Sequence, residues 1–172
     1  RIFRAVKFAR RFDFTLDEDT SSAARAAALD GAVGRLTGAR VRNELMGVLH
    51  EAEAITALVD LHELGALSAL ATPFPFDEES RAAASRASTF VVASDADSSR
   101  ALLIVWLDSL ATGAGKVARW LRAPNEIARD LAAVAAVEEA AADRDLATLR
   151  PSEWHPLLAG ACVDILPTLG AR

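Results

Sequence analysis

Apolar residues recur along most of the chain at spacings of three and four positions, which is the pattern of helices that bury one face. The clearest example is residues 1–12, where apolar positions fall on one arc and cations fall on the other. The pattern predicts an amphipathic helix with a buried apolar arc and a solvent-facing cationic arc. The apolar positions are Ile2, Ala5, Val6, Ala9 and Phe12, and the opposite cations are Arg1, Arg4, Lys7 and Arg11.

Capping residues and helix breakers divide the rest of the chain into further helices. Thr15 or Asp17 can cap a second helix, Thr37 can cap a third, and Gly65 supplies the left-handed stop of a fourth. Pro124 suits the first turn of a later helix, where its missing N–H costs nothing. The predicted helices after the first run from the second cap to residue 29 and over residues 38–49, 52–64, 77–93, 98–111, 116–121, 124–142 and 152–166.

Residues 71–76, with the sequence ATPFPF, form the main boundary of the chain. Two prolines among six residues exclude a helix there, because proline lacks the backbone donor and fixes its own φ. We therefore predict one helical unit over residues 1–70, a linker over residues 71–76 and a helical body over residues 77–172.

The composition strengthens the helical interpretation. Alanine, the best helix former, occupies 38 of the 172 positions, tyrosine is absent, and β-branched and aromatic residues are sparse. We predict an all-α fold, a multi-helix bundle with no sheet. The three tryptophans lie in predicted helices and are expected to fill the core: Trp106, Trp120 and Trp154.

Charge is distributed unevenly, although the formal net charge is only −5. Residues 1–42 hold nine cations and five acids, a net charge of +4, whereas residues 43–172 hold ten cations and nineteen acids, a net charge of −9. A basic N-terminal segment on an acidic body indicates one localised anion-binding surface. Solvated helix faces would account for the same cations, so both interpretations stay open at this point.

The cysteine, the histidines and the apolar runs exclude several classes of protein. The single cysteine cannot form an internal disulfide, and the three scattered histidines have no metal-ligand spacing. The most apolar run, residues 101–107, is too short for a bilayer span of about 20 residues. The first dozen residues carry five cations, unlike a secretory signal. We expect a soluble, cytoplasmic protein with no membrane partner.

Several stretches imitate catalytic motifs without satisfying them. The GAGK sequence at residues 113–116 resembles the end of a phosphate-binding loop, but Leu110 stands where the first loop glycine belongs, and Val117 replaces the magnesium-binding Ser or Thr. Cys162 lies in a predicted apolar helix, where a buried, unreactive thiol is expected. His50 and His62 fit helix surfaces better than a catalytic pair. We predict no catalytic residue and no metal site in this chain.

Residues 1–14, RIFRAVKFARRFDF, closely resemble the RILRAxRFAARLGF stretch of the tRNA nucleotidyltransferase and poly(A) polymerase family. Residues 37–46, TGARVRNELM, resemble the family's SxERIRxEL segment, and residues 58–67, LVDLHELGAL, resemble its LLxELGLL ending. Residues 119–126 and 150–158 are more weakly similar to its body helices. The resemblance implies a neck-and-body, RNA-binding region of the bacterial class. We expect a longer parent protein, because the chain starts with an arginine already inside a helix.

The resemblance also implies roles for individual residues. In the family an EDxxR motif hydrogen-bonds the base edge of the incoming CTP or ATP, and Arg1 matches its arginine, while Arg4 matches the next arginine of the helix. Lys7 replaces a usual arginine and suits phosphate better than a base. The implied nucleotide-binding residues are Arg1 and Arg4, the implied RNA-binding residues are Arg4, Lys7, Arg10 and Arg11, and the residues implied to brace the neck are Arg40 and Glu44.

The implied activity of the parent protein is addition of nucleotides from CTP or ATP to RNA 3′ ends, as CCA, CC, A or poly(A). Nucleotidyl transfer needs two carboxylates that hold two magnesium ions. The family supplies them from a GxxxDxD strand of a catalytic head, and that motif does not occur in residues 1–172. We predict that Mg²⁺ belongs to the head, that this chain alone is inactive, and that its partners are the tRNA acceptor end, CTP and ATP.

Two other functions compete with this one. A helical protein-interaction module would use the basic stripe to dock on an acidic partner. A helical transcription regulator fits less well, because no short helix–turn–helix here carries a basic recognition helix. The residues preceding Arg1 would discriminate between the classes, since a GxxxDxD motif there would favour the enzyme.

Overall fold

The computed structural model describes residues 1–93 and 96–170, which contain ten α-helices and no strand. This confirms the predicted all-α bundle. Two predicted caps are also confirmed: the Asp17 side chain accepts from the N–H of Thr20, and the Thr37 hydroxyl accepts from the N–H of Arg40. The helices are α1 (Ile2–Arg11), α2 (Glu18–Leu29), α3 (Gly38–Leu49), α4 (Ala54–Glu63), α5 (Glu78–Ala93), α6 (Ser98–Ser109), α7 (Ala114–Trp120), α8 (Asn125–Asp143), α9 (Pro151–Leu157) and α10 (Leu166–Gly170).

The bundle is organised around α6. Its seven consecutive residues 101–107 are all buried, so this helix is covered on every side. It packs against α3, α5, α7, α8 and α10, while α1 packs against α3 and α4. The buried side chains form one contiguous core that extends from Ile2 to Ile165.

The predicted linker, residues 71–76, is non-helical as expected, and it is anchored in the core. Phe74 is fully buried and Phe76 is 2% exposed, and their ring centroids lie 4.9 and 5.4 Å from that of Trp106. The indole N–H of Trp106 donates to the carbonyl of Pro75 at 2.8 Å. Trp106 therefore fills the core as predicted, whereas Trp120 and Trp154 are half-buried. The division into a unit at 1–70 and a body at 77–172 stays a prediction.

The predicted helix over residues 152–166 is wrong. α9 contains Pro156 and ends at Leu157, and Gly160 then adopts a left-handed φ of +75°. A 3₁₀ turn follows at Val163–Ile165 and leads into α10. Cys162 therefore does not lie in an apolar helix; it is half-buried at the start of the 3₁₀ turn. A local break at glycine overrode the apolar spacing on which the prediction rested.

A buried polar network fixes this C-terminal segment to the bundle. Asp130 of α8 is fully buried and accepts from the Arg100 guanidinium at 2.5 Å and from the Cys162 N–H at 2.9 Å. Asp164 is 4% exposed, lies 3.1 Å from the Nε of Arg100, and accepts from the N–H of Asp97 at 2.7 Å. Paired in this way, the two carboxylates link α6, α8 and the 3₁₀ turn.

No single helix in the described part of the chain is long and apolar enough to cross a membrane. One helix pair, Ser98–Ser109 with Ala111–Trp120, passes on combined length and composition alone, and the two helices are bent by 115° at the break between them.

Candidate nucleic-acid interface

The candidate interface is the solvent-facing side of α1. The opposite side of this helix buries Ile2, Phe3, Val6 and Ala9 against α3 and α4. The predicted arc is therefore confirmed over most of its length. Its last member, Phe12, is an error of the prediction, because its side chain is 56% exposed.

Contacts between α1 and the α3 region keep a constant sequence offset, which shows that the two helices run in parallel. The Nε of Arg4 lies 3.7 Å from Glu44, the Lys7 side chain lies over Gly47, and Arg11 pairs with Glu51. Each partner is forty positions further along the chain. The Lys7 side chain passes beside Gly47, where a Cβ would lie at an ordinary contact distance of 3.8 Å from Nζ.

Two of the predicted RNA-binding residues are held in ion pairs. Arg10 donates from Nε and Nη2 to both carboxylate oxygens of Asp60, each at 2.6 Å. Arg11 donates to both oxygens of Glu51, at 2.9 and 2.5 Å. The hydrogen bond from Arg11 lowers the pKa of Glu51, and the hydrogen bond to Asp60 raises the pKa of Arg10. These acids come from outside α1, so the helix sequence alone did not reveal them.

The other predicted site cations, near the start of α1 and at Arg40 of α3, are less strongly paired with acids than Arg10 and Arg11 are. Among the described residues no acid lies within ion-pair distance of Arg1, Lys7 or Arg40, and the Arg4 side chain is 60% exposed beside Glu44. Lys7 has an aromatic contact instead, since its Nζ lies 4.9 Å from the ring centroid of Phe8. The predicted nucleotide-binding pair, Arg1 and Arg4, thus lies at the open N-terminal end of the helix. The predicted bracing pair is divided, because Glu44 faces Arg4 whereas Arg40 is exposed.

Three phenylalanines that the sequence analysis did not assign to the interface lie at the other end of α1. Phe8 and Phe12 are 42% and 56% exposed and stack with centroids 6.2 Å apart, and Phe14 is 67% exposed and lies 5.9 Å from Phe12. The spacing of four between Phe8 and Phe12, on the side that carries Lys7 and Arg11, is the signal that could have identified them.

The described residues contain no group of three or more His, Cys, Asp or Glu side chains that could hold a metal ion. The side chain of Cys162 lies 3.2 Å from a carboxylate oxygen of Asp164, within the polar network rather than at a cleft. The solvent-facing side of α1 carries guanidinium, ammonium and aromatic groups, and these groups suit phosphates and bases.

Comparison with known proteins gives one sequence relative. The chain is 34% identical over 67 residues to the A-adding tRNA nucleotidyltransferase of Geobacter sulfurreducens, a match that covers 39% of this chain and 8% of that protein. No protein-family model matches the chain.

Solved structures of CCA-adding enzymes share the fold. An apo form superposes with a TM-score of 0.78 at 21% identity, over 99% of this chain and 42% of that one. The Thermotoga maritima CCA-adding enzyme complexed with tRNA gives 0.74 at 21% identity, over 99% and 43%. A tRNA-processing enzyme with CTP gives 0.75 at 19% identity, over 100% and 50%. The chain thus spans half or less of these proteins, and its partial sequence match and full-length fold match confirm its resemblance to the tRNA nucleotidyltransferase family.

Proposed function

We propose that this chain is the neck-and-body region of a tRNA nucleotidyltransferase, or of a related poly(A) polymerase, and that it binds the acceptor end of tRNA. The observation that carries the proposal is the coincidence of two independent likenesses. The chain is 34% identical over 67 residues to an A-adding enzyme, and it has the helical fold of CCA-adding enzymes along its length. The parent protein acts in tRNA 3′-end processing in the cytoplasm.

RNA binds along the exposed side of α1, through Arg4, Lys7, Arg10 and Arg11. Lys7 has no acid within ion-pair distance among the described residues, and Arg4 is only loosely paired, with its Nε 3.7 Å from Glu44. Arg10 and Arg11 each use two of their five donors on a carboxylate. Their remaining N–H groups can donate to phosphate oxygens, in positions that the ion pairs keep fixed.

Arg1 and Arg4 contribute to the nucleotide pocket at the N-terminal end of α1. Both guanidinium groups are exposed there, and a planar fork can pair with acceptors on a CTP or ATP base. Glu44, on the parallel helix α3, braces this end by its approach to Arg4, and Arg40 adds charge one helical turn earlier.

The transfer chemistry belongs to the catalytic head of the parent protein. Two magnesium ions need a set of carboxylates, and the described residues contain no group of acids and histidines that fits such a site. For this chain we propose a binding role, and its inactivity on its own stays a prediction.

The proposal is tested by fluorescence anisotropy with a labelled tRNA that lacks its 3′ CCA. We expect binding that weakens steeply with salt, because phosphate contacts release counterions. Replacing Arg4 and Lys7 by glutamine should reduce the slope of log affinity against log salt by about 2.

The matched control replaces Arg81 and Arg129 by glutamine. Each of these exposed cations pairs only loosely with an acid three positions earlier on its own helix. Both double variants remove two positive charges, so they change the net charge of the protein equally. Equal effects of the two variants would overturn the assignment of the RNA surface. An absence of binding by the unmodified chain at low salt would favour the protein-interaction module.

A further inference from the structure

The exposed phenylalanines at the end of α1 form one continuous aromatic surface, which we call the phenylalanine platform (Phe8, Phe12 and Phe14). The rings of Phe8 and Phe12 are inclined by only 23°, and those of Phe12 and Phe14 by 34°. Between 42% and 67% of each residue is in contact with solvent. Burying such rings releases ordered water. Three exposed rings therefore have an unfavourable hydration free energy, which a partner that covers them would remove.

The backbone holds the platform in place. α1 ends in a Schellman turn, in which the N–H of Phe14 donates to the carbonyl of Ala9 at 2.7 Å and the N–H of Asp13 donates to that of Arg10. This turn brings Phe14 back beside Phe12. The platform therefore exists before any partner arrives, which reduces the entropy that binding must overcome.

The charges around the platform decide which partner it fits. Lys7 and Arg11 lie 4.9 and 5.9 Å from the ring centroid of Phe8. Arg11 is neutralised by Glu51, and Asp13 lies between the two outer phenylalanines, so the platform itself is nearly neutral. Uncancelled positive charge lies next to it, at Lys7 and towards the start of α1. A partner that combines flat apolar faces with regularly spaced negative charge suits both parts of this surface.

We propose that the phenylalanine platform stacks the unpaired bases of single-stranded RNA while Lys7 and Arg4 contact its phosphates. The inference rests on the proposed RNA-binding function and adds the single-stranded substrate and the residues that grip it. Every base has an aromatic face, so stacking of this kind tolerates different sequences. A second copy of the chain fits less well, because a two-fold contact through the platform would bring each Lys7 and its uncancelled charge close to the other.

The experiment uses two fluorescein-labelled RNAs: an oligoadenylate of about eight nucleotides and a blunt-ended duplex, which has no unpaired bases. The test variant is Phe12→Ala with Phe14→Ala, and Phe12→Trp is the conservative variant. The control is Phe90→Ala, which removes a phenylalanine of α5 that is 42% exposed. Circular dichroism checks that the helix content of each variant is unchanged.

We expect the double variant to lose affinity for the oligoadenylate by about tenfold or more, while its affinity for the duplex and its salt dependence stay the same. Phe12→Trp should bind the oligoadenylate at least as tightly as the unmodified chain, and Phe90→Ala should match it. Unchanged oligoadenylate binding by the double variant would overturn the platform but leave the RNA surface intact.

Other results separate the two proposals further. If neither RNA binds the unmodified chain, the proposed function and the platform fail together. If the double variant instead turns a dimer into a monomer in sedimentation while RNA binding is unchanged, the platform is a protein interface. Equal losses on both RNAs would assign the phenylalanines a role in positioning α1 and would also overturn base stacking.

Discussion

Asp13 ends α1 with a left-handed backbone, at φ +53°. An L residue with a side chain is disfavoured there, whereas glycine is not. We predict that Asp13→Gly raises the free energy of unfolding by about 1 kcal/mol, because it removes this strain and a negative charge from a helix C-terminus. Urea unfolding followed by circular dichroism measures the change.

The control for this prediction is Asp13→Ala. It removes the same carboxylate but keeps a Cβ in the left-handed conformation, so it should stabilise the protein less than glycine does. Stabilisation by alanine equal to that by glycine would mean that charge, not backbone strain, is the cause.

Glu51 gives the molecule an acid-sensitive contact. The hydrogen bond from Arg11 lowers the pKa of Glu51 below 4.5, its ordinary value, so the unfolded chain binds a proton at Glu51 before the folded protein does. The contribution of this pair to stability is therefore complete above about pH 4.5 and disappears as the pH falls through the lowered pKa.

We predict that Glu51→Gln is less stable than the unmodified protein near pH 7, and that the difference between them shrinks steadily below about pH 4.5. Urea unfolding at a series of pH values measures it. Because the same pair would be broken, Arg11→Gln should follow the same profile. A stability difference that does not vary with pH would contradict the assignment.

Between elements, the fully buried Asp130 connects α6 and α8 to the C-terminal segment. Asp130→Ala would leave the partly buried guanidinium of Arg100 without this carboxylate and the N–H of Cys162 without an acceptor. We predict a loss of about 3 kcal/mol in the free energy of unfolding, measured with urea. Glu126→Ala, which removes an exposed acid from the same helix, should cost less than about 1 kcal/mol.

Elements whose boundaries depend on local chemistry could be predicted from the sequence. Asp17 and Thr37 cap their helices through bonds to residues three positions away, and a reader of the sequence can see both partners. The chain turns at one glycine shortly after α9, within an apolar stretch. Because the spacing of the apolar residues continues through this glycine, the pattern predicts a longer helix than the structure contains. The exposure of Phe12 depended on the turn at Asp13, which the helical pattern alone did not indicate.

The basic residues of the candidate site could be predicted from the sequence, but the ion pairs that they form could not. α1 contains the basic residues that the sequence identified, and Arg1 and Arg4 lie at an open helix end. The acids that pair with Arg10 and Arg11 lie fifty and forty positions further along the chain, and packing of α1 on α3 and α4 brings them together. Only the three-dimensional structure reveals contacts at such separations.

At the scale of the whole molecule, the two predicted units share one hydrophobic core, and Phe74 is part of it. It is fully buried against Trp106, and it lies in the segment that the sequence marked as a linker. We predict that Phe74→Ala lowers the free energy of unfolding by about 3–5 kcal/mol, because the cavity would form at the centre of a shared core. Phe90→Ala, at an exposed position, should cost much less.

The same shared core predicts one unfolding transition. All three tryptophans follow residue 76, so their fluorescence reports on the body, whereas circular dichroism reports on every helix. We expect the two signals to change at the same urea concentration. An earlier loss of circular dichroism would instead show that residues 1–70 unfold as an independent unit.

The burial of residues 101–107 in α6 has a consequence for the order in which the protein opens. Its residues 101–107 touch neighbours on every side, so solvent reaches their amides only when most of the bundle has come apart. α1 lies at the surface with one face in water and can open while α6 remains closed. In heavy water the amides of α6 should therefore exchange last, at the rate of global unfolding, and those of α1 much earlier. Local opening of α1 therefore does not expose the centre of the fold.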